Sequence, residues 1–406
     1  MWQQIRNNQI RSAMLMIVMA ALLLAVGYVI GLYFFNSAVG GLIIAGIVWA
    51  FMALISYFQG DGILLSMSRA RKVGPDDAPR LYNIVEEMKI ASGLPKMPDV
   101  YIIDDPSPNA FATGRDPEHA SLAVTTGLLQ RLNRDELQGV VGHEMGHIKN
   151  RDILFMITAS VMLGSIVILA WYASRFMIFG GMAAGGRRSN SRDNGGGAAQ
   201  AIILVVGLVL LILAPIAAQL IYFAVSRKRE YLADASSALY TRYPEGLASA
   251  LEKISSAPQA LKAANQATAP MYIINPLHKE GREATDLTST HPPISERIRI
   301  LRAMAGGADW SAYEKAYETV KKGQSLFSRA QTGTAGAVGL RAASTGEETI
   351  DPVADKAARS REASDLMLKM NQYRTVDCEC GARWKIPPGF KGDKIQCTRC
   401  GRTLKV

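Results

Sequence analysis

From Ser12 to Gly60 the chain carries no charged residue, a run of 49. A bilayer core needs about 20 consecutive apolar residues per helix, so this run is long enough for two spans. Asn36-Ser37 is its polar break. Ala13–Phe35 and Val39–Phe58 are therefore expected to form a tight transmembrane hairpin. A cleaved signal peptide is the weaker reading of the first segment: its apolar stretch exceeds the roughly 7–15 residues of a signal h-region, and a second span follows at once. Two further uncharged stretches lie mid-chain, Ile153–Ser174 and Asn194–Ser226, the latter with an apolar core at Ala201–Val225. Both pass the threshold of about 18 residues for a membrane candidate. Pro215 would kink the last, which membrane helices tolerate. The mean hydropathy of +0.09 agrees with a multi-pass chain. It excludes a disordered, collagen-like or disulfide-rich secreted protein.

Charge sets the orientation. Arg6, Arg11, Arg69, Arg71, Lys72, Lys149, Arg151, Arg227, Lys228 and Arg229 flank the spans on one side. On the other side the Asn36-Ser37 turn has no basic residue, and the 175–193 loop has Arg175, Arg187, Arg188 and Arg192. By the positive-inside rule both termini and the large hydrophilic segments face the cytoplasm. The net charge of +10 thus points to the bilayer as partner, and no nucleic acid is expected. All four cysteines follow residue 377. That is no disulfide framework, and it fits a reducing compartment.

The hydrophilic segments divide by pattern. Within 61–152, Pro79–Ser92 has helical periodicity. Val100–Asp104, Ala110–Thr113 and Leu122–Thr126 read as strands of a small sheet. Asn133 caps a helix running to about Asn150. Beyond the spans of 153–226, helices are expected over Arg227–Tyr240, Gly246–Ile254 and Ser295–Met304, within a segment 227–322. Residues 323–352, rich in Gly, Ala, Ser and Thr, read as a linker. Pro352–Tyr373 reads as an amphipathic helix, and 377–406 as a separate compact unit.

The strongest chemical signal is His143-Glu144-Met145-Gly146-His147. On a helix, positions four apart share a face, so two imidazoles can converge on one ion. The Glu between them can take a proton from a zinc-bound water and pass it to a leaving amine. A catalytic zinc wants a third protein ligand. His119, His278, His291 and the acidic residues of a later helix are candidates; Glu230 and Asp234 lie on one helical face there. The metal helix runs into the third span and the fourth runs out into Arg227–Asp234, so antiparallel spans would bring Glu230 to the same membrane surface.

Gly142–His147 with Asn150 and Asp152, Arg229–Asp234, Ser289-Thr290-His291-Pro292-Pro293 with Glu296-Arg297-Ile298, and Asn109–Gly114 together resemble the HtpX family. These are bacterial inner-membrane zinc metallopeptidases related to the CAAX prenyl proteases. The resemblance runs over roughly residues 1–310. It implies Glu230 as third zinc ligand, with Asp234 and Asp152 behind the ligands orienting a metal-binding histidine. It places His291 near the reacting carbonyl. It makes Asn109, Ala110, Phe111 and Ala112 an edge strand that pairs with extended substrate, and it implies quality control of misfolded or unfolded membrane proteins. His119 and His278 belong to no motif and read as ordinary surface or loop histidines.

Cys378-Glu379-Cys380-Gly381 and Cys397-Thr398-Arg399-Cys400-Gly401 resemble the two knuckles of a zinc ribbon, a tetrahedral structural site, with iron of the rubredoxin type as the alternative metal. A unit of 30 residues cannot bury enough core without such a staple. HtpX-like chains usually end before this extension, and the partner of the module is unknown. The expected fold is an α-helical membrane protein with an α+β zincin-type catalytic domain and a small C-terminal zinc-ribbon-like module. Two rival functions are a non-proteolytic membrane scaffold acting through the ribbon and a specific processing peptidase. Intact Glu144 speaks against the first. Four candidate spans are too few for the multi-helix chamber of the prenyl protease relatives.

Overall fold

A computed structural model describes residues 2–184, 209, 212–217, 227–257, 271–274, 291–304, 306–326, 338–344 and 352–406. The uncharged N-terminal run forms two long helices, α1 (Trp2–Phe35) and α2 (Ala38–Met67). They turn at Asn36, which has positive φ, and at Ser37, whose hydroxyl caps α2 by accepting the Gly40 N–H. Small residues let the pair close up: a Cβ on Gly31 would fall 2.5 Å from Gly41 Cα, the close approach typical of membrane helix pairs. Val39, Ile43, Ile47, Phe51 and Phe58 of α2 point outward and are exposed. Among the described residues α2 alone is a helix long and apolar enough to cross a bilayer; within α1 the apolar stretch Met16–Leu32 is shorter.

Both helices outrun their expected ends. α1 begins at Trp2, and α2 continues through Asp61 to Met67, so the boundary expected at Gly60 lies inside a helix. Charge marks where an apolar run stops, whereas the backbone ladder continues until something caps it. α6 (Asp152–Ala184) contains the third expected span. Of the fourth, Ala201–Val225, only 209 and 212–217 are described, as helix. The arginines of the 187–192 loop lie outside the described residues.

The sheet that carries the site has the order β1-β2-β4-β3, from β1 (Arg71–Lys72), β2 (Asp99–Ile103), β3 (Ala110–Asp116) and β4 (His119–Thr125). β2 and β4 are parallel, the other pairs antiparallel, and β3 is outermost. Between β1 and β2 runs α3 (Pro79–Ser92), opened by proline and closed by Gly93 in the left-handed conformation. After β4 come α4 (Thr126–Arg131) and α5 (Arg134–Lys149). A reciprocal Asn133–Glu136 capping box fixes the start of α5. Helical residues 227–241 (α7), α8 (Pro244–Ser255), α9 (Ile294–Arg302) and α10 (Trp310–Val320) complete the body. Leu81, Ile84, Leu122, Val140, Leu247 and Ile300 meet in its core.

The segment expected to be a linker is partly bound to this body. Residues 338–344 lie along it: Arg341 reaches Asp135 at 2.8 Å, Gln138 at 2.8 Å and the Thr241 carbonyl at 2.7 Å. Ser344 adds its N–H to Asp135 at 2.9 Å, and the Val338 carbonyl accepts the Ala308 N–H at 2.8 Å; a composition rich in small residues conceals such long-range anchorage. α11 (Pro352–Met370) then docks, with Leu366 in the main core and Arg359 donating to the Arg131 carbonyl at 3.0 Å. Two hairpins end the chain, β5 (Arg374–Asp377) with β6 (Arg383–Ile386), and β7 (Lys394–Gln396) with β8 (Thr403–Lys405).

Candidate active site

The site depends on how closely α5 and α7 pack. A Cβ on Gly146 would lie 3.0 Å from Ser236 Cβ and 3.2 Å from Ala233 Cα, so a side chain there would push α7 off. Ser237 also donates to the Gly139 carbonyl at 2.6 Å. At this separation His143 and His147, four apart on one face of α5, meet Glu230 of α7. The two Nε2 atoms are 3.2 Å apart. Glu230 Oε1 is 3.4 Å from His147 Nε2, and its Oε2 is 3.6 Å from His143 Nε2.

The opposite nitrogens are already held. His143 Nδ1 is 2.9 Å from Asp234 Oδ1, and His147 Nδ1 is 3.2 Å from Asp152 Oδ2. A proton held at Nδ1 leaves both Nε2 lone pairs aimed at the shared point. Ligands at about 2.0–2.1 Å from a tetrahedral zinc sit about 3.3 Å from one another, which matches the spacing of these three donors. Glu230 Oε2 is buried and ion-paired with Arg297 Nη1 at 3.3 Å, without a well-formed hydrogen bond. Two imidazoles and a buried carboxylate at this spacing fit a zinc ion.

The buried carboxylates favour positive charge at this point, which a proton supplies on His147 when no cation is bound. Burial opposes the charged form of His147, but Asp152 and Glu230 outweigh it and raise the imidazole to about 10. Burial also opposes ionisation of Glu230, yet His291, both ligand histidines and Arg297 hold it well below the usual carboxylate range. Glu144 is different. It lies outside the donor set, its carboxyl takes the Ala112 N–H, and burial raises it above the ordinary range. His291 is buried with Nε2 3.8 Å from Glu230 Oε2, and burial lowers it to about 4.

Arg297, in the sequence part of a motif with no role of its own, is fully buried at the centre. It reaches Asp234 with Nε at 2.8 Å and Nη2 at 2.7 Å, and Glu230 Oε2 with Nη1 at 3.3 Å. The available signal was a lone charge on the face of α9 that also carries Ile300 and Leu301. His119 sits exposed at the start of β4 against Asp116, and His278 lies outside the described residues.

The expected substrate strand lies at a covered edge. β3 is an edge strand, but Asn109–Ala112 are all buried. The Asn109 carbonyl faces β4 and accepts the Thr125 N–H; the Ala110 carbonyl faces outward and already accepts the Ile273 N–H at 3.0 Å. The open edge is thus held there by the chain itself.

At the other end of the chain, Cys378 Sγ lies 3.5 Å from Cys400 Sγ, and Cys380 Sγ 3.6 Å from Cys397 Sγ. These are too long for disulfides. They approach the spacing of about 3.8 Å for thiolates around a tetrahedral zinc. Gly381 and Gly401 turn each knuckle with positive φ. Burial disfavours the Cys397 thiolate, but the Cys400 and Arg399 backbone N–H groups lower its pKa to about 6.

Residues 75–305 match the model of peptidase family M48. The chain is 44% identical over 314 residues to a protein described as "Protease HtpX homolog" from Dictyoglomus turgidum, covering 77% of this chain and 97% of that one. It is 45% identical over 309 residues to a protein of the same description from Levilactobacillus brevis, covering 75% and 100%. A crystal structure of S. mikatae Ste24p is similar with a TM-score of 0.40 and 17% identity, over 74% of this chain and 67% of that one.

Proposed function

The chain belongs to peptidase family M48 and is a metallopeptidase, and from that premise we propose a membrane-bound, zinc-dependent endopeptidase that cleaves unfolded or misfolded membrane proteins at the cytoplasmic face. The observation that carries this reading is the placement of Glu144: buried, beside the His143/His147/Glu230 donors and not among them. Zinc held by those three residues would supply Lewis acidity toward water and toward a scissile carbonyl. Glu144 takes the proton of the attacking water and hands it to the leaving amine. Burial raises its carboxyl above the ordinary range, which favours holding a proton between the two transfers. Asp152 and Asp234 keep the two imidazoles in the tautomer that presents Nε2. His291, neutral in its buried position, donates to the oxyanion that develops on the carbonyl. Cys378, Cys380, Cys397 and Cys400 would hold a second zinc, which would tie the two terminal hairpins together.

The test is hydrolysis of an unfolded membrane protein by the detergent-solubilised chain. Exhaustive chelation is expected to stop it and added zinc to restore it. Metal analysis of the full chain should give two zinc ions, and one when the four cysteines are replaced by serine. Hydrolysis that survives chelation would end the zinc reading; a full-chain stoichiometry of one, or a red iron spectrum, would end the second site. Cleavage of a single folded protein at one bond, with unfolded chains untouched, would favour a processing peptidase.

Orientation rests on the ten basic residues that flank the spans on the side of Arg69–Lys72 and Arg227–Arg229, against four on the other. A reporter fused after Val406 is expected to read cytoplasmic. A periplasmic reading would reverse the topology.

A further inference from the structure

Residues 271–274, Met-Tyr-Ile-Ile, form a bent segment against the outer edge of β3. The Ile273 N–H donates to the Ala110 carbonyl at 3.0 Å, and Asn109 Nδ2 donates to the Ile274 carbonyl at 2.9 Å. Arg297, beside the metal donors, donates to the Ile273 carbonyl at 3.3 Å. The Tyr272 ring stands edge-on to Phe111 at 5.0 Å, and its hydroxyl shares a hydrogen bond of 3.2 Å with Ser68, the cap of α2. Met271 and Tyr272 pack with Met19, Leu64 and Phe155 of the long apolar helices, while Ile273 and Ile274 pack into the core around the sheet. The four residues thus run from the membrane helices to the metal site.

Two outward-facing groups of β3 are already taken: Ile273 holds the Ala110 carbonyl and Glu144 the Ala112 N–H. With the segment in place, Ala110 and Phe111 have no exposed surface and Glu144 only 2%. No other backbone can pair with Ala110 until Ile273 leaves. The occupant also reports what its site accepts, because an edge strand binds any backbone while the neighbouring side-chain slots select. Here the slot is the face of Phe111, filled by an aromatic ring, followed by two β-branched residues.

We propose that Met271–Ile274 is the resident occupant of the substrate strand site, and that the enzyme takes extended segments with a large aromatic or aliphatic residue for the Phe111 slot, as the unwound end of a membrane span presents. This rests on the endopeptidase reading above and names the substrate class of that site. An incoming extended segment takes over the Ala110 carbonyl that Ile273 now holds.

Exchange can be read without turnover. With a benzophenone photocrosslinker in place of Phe111 in a Glu144→Gln chain, irradiation is expected to link position 111 to residues 271–274. An added peptide carrying Tyr-Ile-Ile should take over the crosslink, and the same peptide with Asp for Tyr should not. Self-crosslinking that persists at saturating Tyr-Ile-Ile peptide, or equal capture of both peptides, overturns the proposal. Kinetics give a second measurement. Ile273→Pro removes the N–H donor, and KM for the Tyr-Ile-Ile peptide should fall about five-fold, the scale of one net hydrogen bond, with zinc still bound. A KM that stays or rises in a zinc-replete sample argues against displacement. Wild-type chain that hydrolyses neither peptide would count against the endopeptidase reading, whereas the crosslink decides the strand site alone.

Discussion

Replacing Glu144 with Gln is expected to lower peptide hydrolysis by roughly 10²–10⁴-fold, the range lost with a general acid–base group, while the catalytic zinc stays bound. The amide matches the carboxylate in shape, and its oxygen can still accept the Ala112 N–H. It cannot take a proton from water. Nor should the fold suffer: burial already works against the charged form of Glu144, so a neutral group is no worse there. Zinc should remain because the donors are His143, His147 and Glu230, three atoms within 4.8 Å of one another. Single-turnover hydrolysis and metal analysis on one preparation separate the outcomes. Turnover within ten-fold of wild type would remove Glu144 from the chemistry, and loss of zinc would make it a ligand.

The sequence made this site legible because its information is local. Two histidines four apart, a glutamate between them and a capping residue ahead of them are all fixed by the period of one helix, and Asn133 and Glu136 do close the box that starts it. The strands were legible for the same reason: alternation and turn residues mark β2, β3 and β4 to within a few positions. What escaped depends on contacts between distant residues or on elements too short to show a period. β1 has two residues and α4 six. Arg341 joins a stretch without apolar pattern to Asp135, more than 200 positions away. Met271–Ile274 gives no periodic signal, yet it covers β3. Arg297 looked like one more charge in a helix rich in them. Its role depends on Asp234 and Glu230 arriving on α7, a juxtaposition that no periodicity within α9 could indicate.

Glu230 and Asp234 illustrate the limit most sharply, since sequence places both on one face of α7 and cannot say which touches the metal. Their geometry divides the work. Glu230 faces the Nε2 atoms of both histidines, whereas Asp234 holds His143 Nδ1 and takes two hydrogen bonds from Arg297. Glu230→Ala is therefore expected to lose the catalytic zinc and all measurable hydrolysis, as are His143→Ala and His147→Ala. Asp234→Asn should weaken zinc binding by about 10–100-fold, the usual cost of removing a partner behind a ligand, and leave hydrolysis recoverable at high zinc. Removing Glu230 also leaves the buried Arg297 with Asp234 as its remaining carboxylate partner, so Glu230→Gln, which preserves volume, is the companion variant if the alanine chain unfolds. Competition with a chromophoric chelator ranks the four affinities. Should Glu230→Ala hold zinc as tightly as wild type, the third ligand lies elsewhere, and His291, 3.8 Å from the Glu230 carboxylate, is the residue positioned to supply it.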